Sequence, residues 1–76
     1  MITIYGKPSC GYCVMAKNLC EQKGVLYTYK TLNEDYTEQE FTENFPSART
    51  FPQITVGEEA IGGFEDLVVY FKERGQ

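Results

Sequence analysis

Apolar and polar residues alternate at the start of the chain, through Ile2-Thr3-Ile4-Tyr5, and that period of two predicts a short strand closed by Gly6 and Pro8. From Cys13 onward the period lengthens. Ala16, Leu19 and Cys20 recur at helical spacing and predict a helix over Val14 to Lys23, with Lys23 in the last turn and Gly24 able to supply a left-handed cap. Val25 to Leu32 is rich in β-branched and aromatic residues and predicts a second strand. Both of its alternating sets contain apolar side chains, so the pattern leaves the buried face open. After a turn at Asn33 to Tyr36, Thr37-Glu38-Gln39-Glu40 has the form of a capping box. It opens a short helix that carries Phe41 and Phe45 and stops at Pro46 and Ser47. Gln53-Ile54-Thr55-Val56 predicts a third strand, Gly57-Glu58-Glu59 a tight turn and Ala60-Ile61 a short returning strand. Beyond Gly62-Gly63, the residues Phe64, Leu67, Val68 and Phe71 stand at i, i+3, i+4 and i+7, an amphipathic helix that runs out at Gly75.

The order is strand, helix, strand, helix, strand, strand, helix, which is an α/β arrangement. A helix joins the first two strands, so they should be parallel with a right-handed crossover, and the last two should form an antiparallel hairpin. Seventy-six residues make one small domain, 1–76, with no room for a second core. A chain this short buries only about 60% of its unfolded surface and is expected to be marginally stable. Hydrophobic residues at 42% and charged residues at 24% give an ordinary globular balance. The net charge of −4 comes without a basic stripe of the kind that binds nucleic acid, and reads as a solvated acidic surface. The longest apolar run, Leu67 to Phe71, is too short to span a membrane. The N-terminus lacks the basic flank and apolar stretch of a signal peptide. Three cysteines are too few for a disulfide scaffold, and a reducing cytoplasm is the expected setting.

The chemistry concentrates in Lys7-Pro8-Ser9-Cys10-Gly11-Tyr12-Cys13. Two thiols with two residues between them, after a strand and at the start of a helix, can exchange with a disulfide, hold a metal or be buried. A closed zinc site wants four Cys or His ligands, and this chain has no His and only one further cysteine, Cys20. Exchange is the better supported reading. Only a thiolate attacks a disulfide, and an unperturbed cysteine of pKa ~8.5 is only a few per cent ionised at neutral pH. At a helix start, unsatisfied N–H groups and the macrodipole favour an anion on Cys10, and Lys7 can add a positive charge. Cys13, one turn inward, sees less of that field. Cys10 is therefore the expected nucleophile and Cys13 the resolving thiol. Cys20, seven residues further on and on nearly the same face, reads as a small buried hydrophobe.

Three motifs together resemble those of the glutaredoxins, small members of the thioredoxin-fold superfamily. Lys7-Pro8-Ser9-Cys10-Gly11-Tyr12-Cys13 is similar to the family's Lys-Pro-Thr-Cys-Pro-Tyr-Cys. Arg49-Thr50-Phe51-Pro52 is similar to Arg-Thr-Val-Pro, and Ile61-Gly62-Gly63-Phe64-Glu65-Asp66-Leu67 to Ile-Gly-Gly-x-x-Asp-Leu. The resemblance runs over essentially the whole chain. It implies a four-stranded mixed sheet of order 2-1-3-4, with the last strand pair antiparallel, flanked by three helices. It also implies a glutathione groove with Thr50, Phe51 and a cis-Pro52 as one wall, the Phe51 backbone pairing with the cysteinyl part of glutathione. Gly63, the Glu65 backbone and Asp66 would hold the γ-glutamyl end. Lys7, with Gln39 as a second candidate, would meet the glycyl carboxylate, and Tyr12 would line the groove. Glutathione carries a carboxylate at each end, so a lysine and a helix N-terminus are chemically apt partners.

Read this way, the chain is a monomeric dithiol thiol–disulfide oxidoreductase that reduces protein disulfides and glutathione mixed disulfides, with glutathione as co-substrate and no obligatory metal. Its compact length would suit a phage-encoded member serving nucleotide reduction in a host cytoplasm. Two departures from the family pattern stand out. Gly11 replaces the usual proline and removes a fixed φ. In the family, a small residue there accompanies members that hold a [2Fe–2S] cluster between two monomers, with Cys10 and glutathione as ligands. Phe51 replaces the usual valine and makes a bulkier wall. A cluster-binding protein is thus one alternative. Another is a redoxin reduced by thioredoxin reductase that serves ribonucleotide reductase, although such redoxins usually carry a different sequence in place of the Gly-Gly-x-x-Asp motif.

Overall fold

Isoleucines on alternate positions of the first strand decide which face of the sheet becomes the core. The computed structural model describes residues 1–75, so Gln76, the last position of the expected domain, lies outside the described residues. Strand β1 (Ile2–Gly6) is followed by helix α1 (Gly11–Lys23), strand β2 (Tyr27–Thr31), helix α2 (Glu38–Asn44), the β3–β4 hairpin (Gln53–Val56 and Glu59–Gly62) and helix α3 (Phe64–Glu73). The four strands form one sheet in the order β2-β1-β3-β4. β1 pairs parallel with β2 and antiparallel with β3, and β3 pairs antiparallel with β4. The expected order, parallel pair and hairpin are all present.

On one face, Ile2 and Ile4 of β1 and Ile54 of β3 pack against Ala16 and Cys20 of α1 and Leu67 and Phe71 of α3. Ile4, Ile54 and Leu67 are fully buried, and each such side chain contributes about 1.5–3 kcal/mol through burial. The opposite face is aromatic. Tyr5, pointing away from Ile4, meets Tyr36 and Phe45 edge-on at 5.3 and 5.1 Å between ring centroids. Phe41 of α2 stacks on Phe51 at 4.5 Å. The Tyr36 hydroxyl donates to the Gly6 carbonyl at 2.7 Å, which pins the loop before α2 to the end of β1.

The local signals hold with shifted boundaries. α1 begins at Gly11 rather than Val14, because Cys10 is its N-cap and leaves Gly11, Tyr12 and Cys13 free to form the first turn. β2 begins at Tyr27 rather than Val25. Gly24 is left-handed at φ 68°, and the Val25 N–H is still donating to the Cys20 carbonyl, so Val25 belongs to the helix cap. The face of β2 that the pattern left open is settled by packing: Tyr27 and Tyr29 lie against the core, while Lys30 reaches over the Tyr5 ring on the other side. The capping box of α2 is formed. The Thr37 hydroxyl accepts from the Glu40 N–H at 3.1 Å, and the Glu40 carboxylate accepts from the Thr37 N–H at 2.8 Å. The hairpin turns through Gly57, left-handed at φ 62°, so Glu59 joins the returning strand.

Candidate active site

Two helix N-termini and one loop converge beside the cysteine pair. Cys10 has extended backbone, φ −114° and ψ 109°, and its sulfur accepts the Cys13 N–H at 3.3 Å. The nucleophile expected from sequence is thus itself the helix cap. Cys10 and Cys13 are joined as a disulfide, with their Cα atoms 5.2 Å apart. Their surroundings differ. Cys13 is fully buried, whereas Cys10 is half-buried and reachable from solvent. Attack on an incoming disulfide, or by an incoming thiolate, therefore falls on Cys10. The third cysteine, Cys20, is unpaired and sits in the core, where burial and then the neighbouring Glu21 charge push its thiol up. That makes it a poor nucleophile and fits its reading as a core residue.

A cleft of about 310 Å³ is lined by Tyr12, Thr50, Phe51, Pro52, Gly63, Phe64, Glu65 and Asp66. The Phe51–Pro52 bond is cis, as the resemblance implied. Tyr12 stands against Phe64 at 5.9 Å between ring centroids, and the pair closes one end. The Gly62-Gly63 turn leads into α3, and Gly63 lines the cleft. Gly62 has φ 115°, and a Cβ there would stand 2.7 Å from the carboxylate carbon of Asp66, so only glycine fits. The Asp66 carboxylate accepts the Gly63 N–H at 3.0 Å, half of a capping box for α3. The first-turn N–H groups of α3 remain able to meet an anionic ligand.

Seven of the residues proposed from sequence as a groove (Tyr12, Thr50, Phe51, Pro52, Gly63, Glu65 and Asp66) are thus brought to one cleft. Lys7 lies beyond Phe51, its ammonium 5.1 Å from the ring centroid, and lines two other clefts, one with Cys10 and one with Phe51, rather than the one above. Gln39 lines none of these clefts, and its amide reaches Glu43 at 3.4 Å. Phe64 is a lining residue that sequence reasoning missed. Its helical spacing with Leu67 and Phe71 marked it as core, and only its place next to Gly63 hinted at a second side. Among the described residues, no cluster of three His, Cys, Asp or Glu side chains is placed to hold a metal ion.

A thioredoxin-like sheet carrying a half-buried, helix-capping sulfur disulfide-bonded to a buried one defines a thiol–disulfide oxidoreductase. Comparison with known proteins narrows the class. The family model for glutaredoxin matches residues 2–61. A glutaredoxin of Haemophilus influenzae is 36% identical over 80 residues, an alignment that covers 96% of this chain and 92% of that one. The solution structure of reduced Escherichia coli glutaredoxin superposes with a TM-score of 0.80 at 32% identity, over 95% of this chain and 93% of that one. The buckwheat glutaredoxin–glutathione complex does so with a TM-score of 0.76 at 27% identity, over 97% and 69%. The chain belongs to the glutaredoxin family.

Proposed function

We propose that this glutaredoxin is glutathione-dependent and works as a dithiol enzyme on protein disulfides and glutathionylated thiols. The observation that carries the reading is the cleft lined by Tyr12 of the Cys10–Cys13 motif, the cis-Pro loop, Gly63 and the first turn of α3. It has the chemistry glutathione needs. The exposed backbone of Thr50 and Phe51 can pair with the tripeptide as a strand does, and the N–H groups of α3 favour a carboxylate. Lys7, beyond the Phe51 ring, is the cation for the other carboxylate. Gln39, whose exposed amide donates to the Glu43 carboxylate at 3.4 Å, is the second candidate for that carboxylate.

The Cys10 thiolate attacks one sulfur of the substrate disulfide. A Cys10 mixed disulfide forms and the other substrate sulfur leaves as a thiolate. The Cys13 thiolate then attacks the Cys10 sulfur, releasing the second substrate thiolate and closing the Cys10–Cys13 disulfide. One glutathione thiolate reopens that disulfide at Cys10. A second attacks the bound glutathione sulfur, giving oxidised glutathione and the dithiol. On a glutathionylated substrate Cys10 alone suffices. Ribonucleotide reductase is among the protein disulfides we would test, with a monomer in a reducing cytoplasm as the working form.

The deciding experiment is turnover of a glutathione mixed disulfide coupled to NADPH through glutathione reductase, with thioredoxin reductase in a parallel arm. Fast turnover through glutathione is the expected result. Turnover only through thioredoxin reductase would overturn glutathione dependence while leaving the dithiol chemistry intact.

A further inference from the structure

When the Cys10–Cys13 disulfide opens, the sulfur that leaves is that of Cys13, and it leaves as an anion from a fully buried position. A buried thiolate without a donor is costly, and a leaving sulfur that is better stabilised leaves faster. Cys10 has its own donor, the Cys13 N–H at 3.3 Å. The ammonium of Lys7 stands over the Phe51 ring. Cys13 needs a donor from another element.

Tyr29 of β2 is the candidate. Its ring packs on the core, and its position opposite Ile4 in the parallel ladder turns it toward α1. Gly6 stands between it and the cysteines. A Cβ on Gly6 would overlap the Tyr29 hydroxyl oxygen and stand 2.7 Å from Tyr29 Cζ and 3.2 Å from Cys13 Cβ. The hydroxyl and the Cys13 Cβ therefore both border the space beside the bare Cα of Gly6. Independently, Tyr29 and Cys10 line the same groove of about 490 Å³. Two neighbouring tyrosines are committed, Tyr27 of the same strand to the Glu21 carboxylate and Tyr36 to the Gly6 carbonyl. The Tyr29 hydroxyl has no acceptor among the described residues.

We propose that the Tyr29 hydroxyl is a catalytic hydrogen-bond donor to the Cys13 sulfur, stabilising the thiolate that forms when the Cys10–Cys13 disulfide opens. An external thiolate bonds to the Cys10 sulfur, the sulfur–sulfur bond breaks, and its electron pair departs with Cys13. The phenol keeps its proton and shares it with that sulfur. Burial pushes the Tyr29 phenol up from its ordinary value, so the donor stays protonated at neutral pH. Because the bond exists only with the dithiol, it both speeds opening and shifts the redox equilibrium toward the reduced protein. The proposal rests on the dithiol exchange and is independent of how glutathione is bound.

The test uses dithiothreitol, which needs no glutathione groove, on the whole chain carrying Tyr29→Phe. Opening of the disulfide should slow about tenfold and the equilibrium with dithiothreitol should shift about tenfold toward the disulfide, as expected for loss of one hydrogen bond to a charged group. Added to Cys13→Ser, where no Cys13 thiolate is released, the same change should leave turnover of a mixed disulfide as it is in Cys13→Ser alone. An unchanged rate and equilibrium, or an equal loss in the Cys13→Ser background, would overturn the assignment. Should Tyr29→Phe fail to fold, NMR of the Tyr29 ring carbon bearing oxygen decides in the unaltered protein. Its resonance should move on reduction, and a stationary resonance would overturn the proposal.

Discussion

Helices α1 and α3 start beside the same cleft, and they fill their first turns in opposite ways. α1 has no acidic side chain in its first turn and takes a sulfur, Cys10, as its cap. α3 carries Glu65 and Asp66 there and caps its own entry with the Asp66 carboxylate. Each N-terminus offers about half a positive charge to whatever anion stands on it. In α3 part of that offer is met by carboxylates of the chain, while the first-turn N–H groups stay open to a ligand carboxylate. In α1 it is held for a thiolate that exists only when the disulfide is open. Reactivity here depends on which helix was left uncapped by carboxylates, as much as on where the cysteines stand.

The largest effect should come from removing the sulfur that α1 awaits. Cys10→Ser should lower turnover of both protein disulfides and glutathione mixed disulfides by at least about a hundredfold, since a hydroxyl at this pH cannot replace a thiolate. Cys13→Ser should abolish only the reduction of protein disulfides, and parallel assays of the two variants would show it. Appreciable turnover by Cys10→Ser would remove α1 from its role. The corresponding break at α3 is Gly62→Ala. It places a side chain at φ 115° and into the Asp66 carboxylate, and should cost about 2–4 kcal/mol, read as a lower denaturation midpoint.

This contrast was only half legible in the sequence. Elements driven by periodicity were plain. The run Phe64, Leu67, Val68, Phe71 and the alternation of Ile2 and Ile4 each name a face without reference to anything distant; Leu67, Phe71, Ile2 and Ile4 are buried, and Phe64 and Val68 are half-buried. Boundaries set by a cap were less legible. α1 was expected at Val14 because Gly11 and Tyr12 carry no helical signal, and only the sulfur of Cys10 accepting from Cys13 shows where the helix starts. The cleft residues were found through motif resemblance, since nothing in the spacing of Thr50 and Gly63 says that they meet. Gln39 and Phe64 mark the limit. One belongs to an exposed helix surface that pairs with Glu43, and the other turns its ring to Tyr12 and the cleft while its helix packs in the core. A side chain that serves two neighbours shows only the stronger one in its sequence pattern.

A smaller change sharpens the account of α3. Asp66→Ala removes both the acceptor for the Gly63 N–H and the charge on the first turn, and should cost about 1 kcal/mol of stability by equilibrium denaturation. If Asp66 also holds the γ-glutamyl end of glutathione, KM for a glutathione mixed disulfide should rise several-fold with little change in kcat. A stability loss with an unchanged KM would leave Asp66 as a cap and nothing more.

The smallest effect carries the sharpest sign. Gly11→Asp gives α1 the first-turn carboxylate that α3 already has, at a position where an added Cβ meets nothing within 4 Å. In the disulfide form no thiolate competes, so the new charge should stabilise the protein by about 0.3–1 kcal/mol through the helix dipole. In the dithiol form the same charge stands beside Cys10 and should disfavour its thiolate, slowing alkylation near neutral pH. The two measurements must move in opposite senses: a more stable disulfide protein and a less reactive thiol. If stability rises and reactivity does not fall, the field of α1 is not what prepares Cys10, and the charge of Lys7 becomes the better explanation.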